Sequence, residues 1–157
     1  MRFILIDKIV ELVPGQSIIT KKNLSISEEY LADHFPGFPV MPGVLMLEAM
    51  TQSAAWLLRI TDDYADSIIS LKEARNVKYN HFVQPGQTLT LKVQMMSRVP
   101  GEAKFKAEGW LDDVQALSAR LVLSHHGIGR DSPSMAWKDQ AVIEKLKAVY
   151  ELIAPRP

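Results

Sequence analysis

Cysteine is absent from the 157-residue chain. That excludes disulfides, thiolate metal sites and a cysteine nucleophile, and it removes any mark of redox compartment. Net charge is absent too, since 18 basic residues balance 18 acidic ones. The balance gives no footprint of a nucleic-acid binder and no general attraction to anionic membranes, although a local basic patch is compatible with a zero sum. A long hydrophobic run is also missing. The longest apolar stretch, 35–58, is interrupted by prolines, glycines and Glu48, which makes a poor membrane span. The opening Met1–Lys8 has a short apolar run cut off by charge, with neither the h-region nor the cleavage site of a signal peptide. The cytoplasm is the expected location, and no membrane insertion is expected. Repeats and low-complexity segments are lacking as well.

What is present is the composition of a soluble globular protein, 47% apolar and 23% charged, in a length suited to one domain with a real core. Residues 3–13 and 17–26 predict two strands joined at the Pro14-Gly15 turn. Ser27 to Ala32 predicts a short helical turn capped by Ser27. A Pro/Gly-rich loop, His34 to Gly43, cannot be regular helix. From Pro42 to Ile60 the chain reads as helix, with proline at the first helical position and apolar residues on almost every face, the mark of a helix buried all round. Strands are predicted near 67–74, 77–83, 88–98, 103–110 and 114–125, separated in the later part by Pro85-Gly86, Pro100-Gly101 and Asp112-Asp113. Residues 127–134 read as a linker, and Trp137–Ile153 as an amphipathic helix with Val142, Leu146, Val149, Tyr150 and Ile153 along one side. One long buried helix with a run of antiparallel strands predicts an α+β domain whose sheet wraps the helix. That domain covers 1–126, and residues 127–157 form a linker and a C-terminal helix packed on it.

Between Phe35 and Leu58 the single ionisable side chain is Glu48, with Gln52 one turn further on the same face. A lone carboxylate among apolar neighbours must be paired, protonated or facing a cavity, and burial would raise its pKa toward the range of a general acid. The alternative is a structural carboxylate holding a neighbouring loop. His34 opens the loop that delivers the chain to this helix, and prolines at 36, 39 and 42 leave that loop little entropy to lose. The loop ends at the helix N-terminus, where unpaired N–H groups favour developing negative charge, so the Gly43 N–H is a natural oxyanion donor. Base, acid and oxyanion donor are the parts for enolate chemistry beside a carbonyl.

The run from His34 to Gln52, HFPGFPVMPGVLMLEAMTQ, strongly resembles the HFPGxPxMPGVLxxEAxAQ signature of the FabZ-type (3R)-3-hydroxyacyl-[acyl-carrier-protein] dehydratases. The histidine-to-acid spacing, 48 − 34 = 14, matches. Phe3–Ile9 resembles that family's FLLVDRV opening, and residues 76–89 resemble part of its NARFRRPVxPGDxL stretch, so the likeness spans about residues 2–126. It implies a hot-dog fold, with the antiparallel sheet wrapped around the long central helix. It implies that His34 removes the α-proton of a 3-hydroxyacyl thioester, that Glu48 protonates the departing hydroxyl, and that the Gly43 N–H holds the thioester oxygen. Phe35, Met41, Pro42, Val44 and Gln52 are expected around the substrate, although packing is the safer role for Met41, Met46 and Met50. The implied partners are acyl carrier protein and a second copy of the chain, since in this family one site draws its histidine and glutamate from two subunits. A trimer of dimers is a further assembly left open. No metal and no organic cofactor are expected. His81 falls in a predicted strand, and His125-His126 would point to opposite faces of theirs, which is a poor chelate.

Departures from the signature include Thr51 in place of alanine, Gln87 in place of aspartate, and the helix after residue 126. They leave the dyad intact and leave chain length, carrier contacts and pathway open. Three other readings compete: a hot-dog acyl thioesterase, a dehydratase of a specialised lipid or polyketide pathway, and a non-catalytic acyl-binding subunit. Release of free thiol would identify the first. The intact His34 and Glu48 argue against the last. A dehydratase that also isomerises the double bond ranks low, because such relatives usually carry aspartate at the position of Glu48.

Overall fold

The computed structural model describes residues 4–35, 37–130 and 133–155. In chain order the elements are β1 (Lys8–Val13), β2 (Ser17–Asn23), α1 (Gly43–Thr61), β3 (Ile68–Tyr79), β4 (Thr88–Val99), β5 (Glu102–Leu111), β6 (Val114–His126) and α2 (Ala136–Ile153). The six strands make one antiparallel sheet in the order β1-β2-β4-β5-β6-β3. The α+β expectation of a sheet wrapped about one long helix is met.

Strand periodicity explains which face meets α1. Leu89, Leu91 and Val93 of β4 and Ala103, Phe105 and Ala107 of β5 alternate with exposed Lys92, Gln94, Lys104 and Lys106. Leu117, Ala119, Leu121 and Leu123 continue the buried row on β6. Successive strand side chains point to opposite faces, so this alternation commits one face to the core. From the helix, Ala49, Met50, Ala54, Leu57 and Leu58 complete that core. One buried polar pair spans it, Thr20 Oγ1 to Ser53 Oγ at 2.7 Å, which satisfies two hydroxyls that would otherwise be stranded.

Several expectations are corrected. Pro42 is the N-cap of α1, not its first helical residue, and its carbonyl accepts from Leu45 and Met46 N–H. The stretches 67–74 and 77–83 form one strand, β3, with irregularities between Leu71 and Glu73 and between Arg75 and Lys78. His81 therefore lies beyond the strand end. The short turn near Ser27 is a 3-10 turn over Glu29–Leu31 preceded by Glu28, and Ser27 pairs with Ser25 instead of capping it. The first strand begins at Lys8, and Phe3 lies outside the described residues. The start of α1 is not buried within one chain, where Val44 is 72% exposed.

The C-terminal helix lies against α1. Tyr150 meets Trp56 with ring centroids 5.9 Å apart, and Lys147 Nζ stands 5.2 Å from the Tyr64 ring. Leu146 and Ile153 join the core. At the other end Asp139 accepts from Ser67 Oγ, from Ile128 N–H at 2.6 Å and from Gly129 N–H at 2.7 Å. Among the described residues no helix is long and apolar enough to cross a membrane.

Candidate active site

The loop before α1 is tied to the domain near its end and turns back on itself near its start. Met41 N–H donates to the Val83 carbonyl at 2.8 Å, and Phe38 N–H to the Phe35 carbonyl at 2.8 Å. Inside it, His34 Nδ1 lies 3.0 Å from the Val40 carbonyl oxygen. A carbonyl can only accept, so Nδ1 carries a proton, and in the neutral ring the lone pair is on Nε2. The half-buried imidazole is thus held in the tautomer of a base, with the ring of Phe35 at 4.3 Å. Phe35 has φ of 56°, a left-handed conformation uncommon for an aromatic residue.

Glu48 projects from the second turn of α1. Gln52 Nε2 donates to its Oε1 at 2.9 Å, and Gln52 Oε1 accepts from Leu5 N–H at 2.9 Å. Since a main-chain N–H can only donate, the amide is oriented and must offer its NH₂ to the carboxylate. Among the described residues no hydrogen bond is made to the second carboxylate oxygen. Glu48 and Gln52 line a cavity of about 180 Å³ with Thr51, Ala55, Trp56 and Arg59 of α1, and with Ile4, Ile69, Leu146 and Val149. Positions 48, 52, 55, 56 and 59 recur at helical spacing, so the α1 wall could have been read from the sequence. The contribution of α2 could not.

Gly43, the first residue of α1, has no intrahelical acceptor for its N–H. Among the described residues none within the chain takes that bond. The ring of Tyr79 roofs this glycine, and a Cβ built there would stand 3.1 Å from a ring carbon. Tyr79 did not stand out in the sequence, because only the pairing of β3 brings it across. Of the residues expected around the substrate, Gln52 touches Glu48, Met41 is buried, Pro42 caps the helix, and Phe35 and Val44 are exposed. His34 is not among the residues lining the Glu48 cavity.

Residues 1–120 match the FabA-like domain family. The chain belongs to that family. A 3-hydroxyacyl-[acyl-carrier-protein] dehydratase FabZ of Lactobacillus helveticus is 41% identical over 115 residues, covering 73% of this chain and 78% of the relative. The FabZ of a Janthinobacterium species is 35% identical over 136 residues, covering 83% and 86%. Among solved structures, the dehydratase heterocomplex ApeI:P of Xenorhabdus doucetiae has a TM-score of 0.67 at 15% identity, with 80% of this chain and 84% of that one covered. The smu.793 protein of Streptococcus mutans, bound to acetyl CoA, has a TM-score of 0.61 at 12% identity, with 81% and 94% covered. At such identities these two likenesses establish the fold, which is the hot dog. The family match ends before α2 begins.

Proposed function

We infer that this FabA-like protein dehydrates 3-hydroxyacyl thioesters to trans-2-enoyl thioesters in fatty acid biosynthesis, as its FabZ relatives are named for doing. The observation that carries the mechanism is the orientation of Glu48 by Gln52 in the wall of a partly apolar cavity. His34 Nε2 removes the proton from C2, and the electron pair of that C–H bond becomes the C2=C3 double bond. The C3–O bond breaks, and Glu48, acting from its protonated form, delivers a proton to the departing hydroxyl to make water. Proton exchange with solvent returns His34 and Glu48 to their starting states. The Gly43 N–H holds the thioester oxygen while charge develops there. Phe35, Met41, Pro42 and Val44 border the acyl group around this centre.

The acyl group arrives on acyl carrier protein in the cytoplasm, and the working unit is a homodimer. The absence of His34 from the wall of the Glu48 cavity supports a site that pairs His34 with Glu48 of a second copy. Hydration of trans-2-enoyl thioesters on both carrier protein and CoA, followed by loss of enoyl absorbance, tests the reading. His34→Ala and Glu48→Gln should each lower turnover by about two orders of magnitude or more in a protein that still folds. Near-normal activity in either variant overturns the mechanism, and release of free thiol would identify a thioesterase.

A further inference from the structure

The cavity behind Glu48 is walled in part by α2, which lies beyond the family match. From Glu48 the α1 wall runs to Arg59, which is 59 − 48 = 11 residues or about 16 Å along the axis. Arg59 ends it with a guanidinium 5.4 Å from the centre of the Trp56 ring. A hydrocarbon tail pushed that far would strip water from a cation, which is unfavourable. Across from α1, Leu146 and Val149 close the side of the cavity. The wall they form is fixed, because Asp139 fastens the start of α2 to Ser67, Ile128 and Gly129 while Tyr150 and Ile153 seat its end.

We propose that α2 is the acyl-length ruler of this enzyme: Leu146 and Val149 set how long a tail the cavity behind Glu48 accepts. The inference rests on the assignment of Glu48 as the acid. A cavity of about 150 Å³ holds benzene, and the space behind Glu48, about 180 Å³, is of the size that takes part of an acyl tail.

The test is kcat/KM for hydration of trans-2-enoyl thioesters from about 4 to about 16 carbons, in wild type, Val149→Ala, Val149→Phe, Leu146→Ala and Leu152→Ala. Wild type should fall off once the tail outgrows the cavity, at a chain length that the variants shift. Val149→Ala and Leu146→Ala should raise the ratio of long-chain to short-chain kcat/KM by about tenfold, and Val149→Phe should lower it by a similar factor. Leu152, 75% exposed on the same helix, should leave the profile unchanged. Val149 is only partly buried, so its variants decide the matter even where Leu146→Ala fails to melt cooperatively. Folded, active Val149 variants whose profiles superimpose on wild type would overturn the ruler. A wild type that hydrates no enoyl thioester, or a fully active Glu48→Gln, would overturn the active-site reading and the ruler with it.

Discussion

Gln52 Nε2 donates to Glu48 Oε1 at 2.9 Å, and the direction of that bond is set from behind by Leu5 N–H on the amide oxygen. On the proposed mechanism Gln52 is a positioning residue that aims the carboxylate. Gln52→Leu should lower kcat by roughly ten- to a hundredfold with a much smaller change in KM, the pattern of a misaimed group. A rise in KM with kcat little changed, in both Gln52→Leu and Gln52→Glu, would instead make Gln52 a substrate contact.

Mixing inactive His34→Ala with inactive Glu48→Gln protein examines the shared site. A heterodimer carries one intact pair and one doubly damaged pair, so activity should return to a sizeable fraction of wild type once subunits exchange. Exchange is followed by mass spectrometry. Complete exchange with background activity would place both residues of a working site in one chain.

The oxyanion role can be isolated at Gly43. Proline is favoured at the first helical position, and Pro42 before it already has φ −56° and ψ 136°, the extended geometry a following proline demands. Gly43→Pro removes the N–H, whereas Gly43→Ala keeps it while crowding Tyr79 to a similar degree. Gly43→Pro should lower kcat by about two to three orders of magnitude, and Gly43→Ala far less. Equal losses would show that crowding against Tyr79, not the missing donor, is responsible.

Much of the architecture was legible because the signals are periodic. The alternation of Leu89, Leu91 and Val93, the turn residues at 100–101 and 112–113, and the apolar run of α1 each carry one meaning. Where the pattern is broken by a local twist, the reading failed. The irregularity between Arg75 and Lys78, with Asn76 at φ 52°, made one strand look like two. His34, Gly43, Glu48 and Gln52 stood out because polar groups and prolines are conspicuous in an apolar segment. Tyr79 and Leu146 did not, since an aromatic near a strand end and a leucine on an amphipathic stripe say that they bury surface but not against what. The stripe of α2 predicted docking, and only the tertiary structure supplied α1 as its partner.

The anchor of α2 carries a pH dependence. The Ser67 hydroxyl, with the N–H groups of Gly129 and Ile128, holds the Asp139 carboxyl below its ordinary 3.8. The folded value lies below the unfolded one, so the contribution is present above the unfolded value and is lost as pH falls through the folded value. Asp139→Asn should lower the melting temperature at about pH 7, and its difference from wild type should shrink as pH drops below about 4. Faster amide exchange across 136–153 in the variant would locate the effect in α2. A difference that persists in acid would assign it to something other than charge.

The sheet order has a consequence for how the protein is made. Among the described residues β3 pairs with β6 and with no other strand, yet β4 and β5 are synthesised between them. The strands β4, β5 and β6 form a meander of adjacent hairpins that can close as soon as each is complete. β3 has to wait, with its backbone unpaired, until the last strand has left the ribosome. Tyr79 sits at the end of β3, so the ring over Gly43 is put in place late in folding, and a nascent chain halted before β6 lacks that roof.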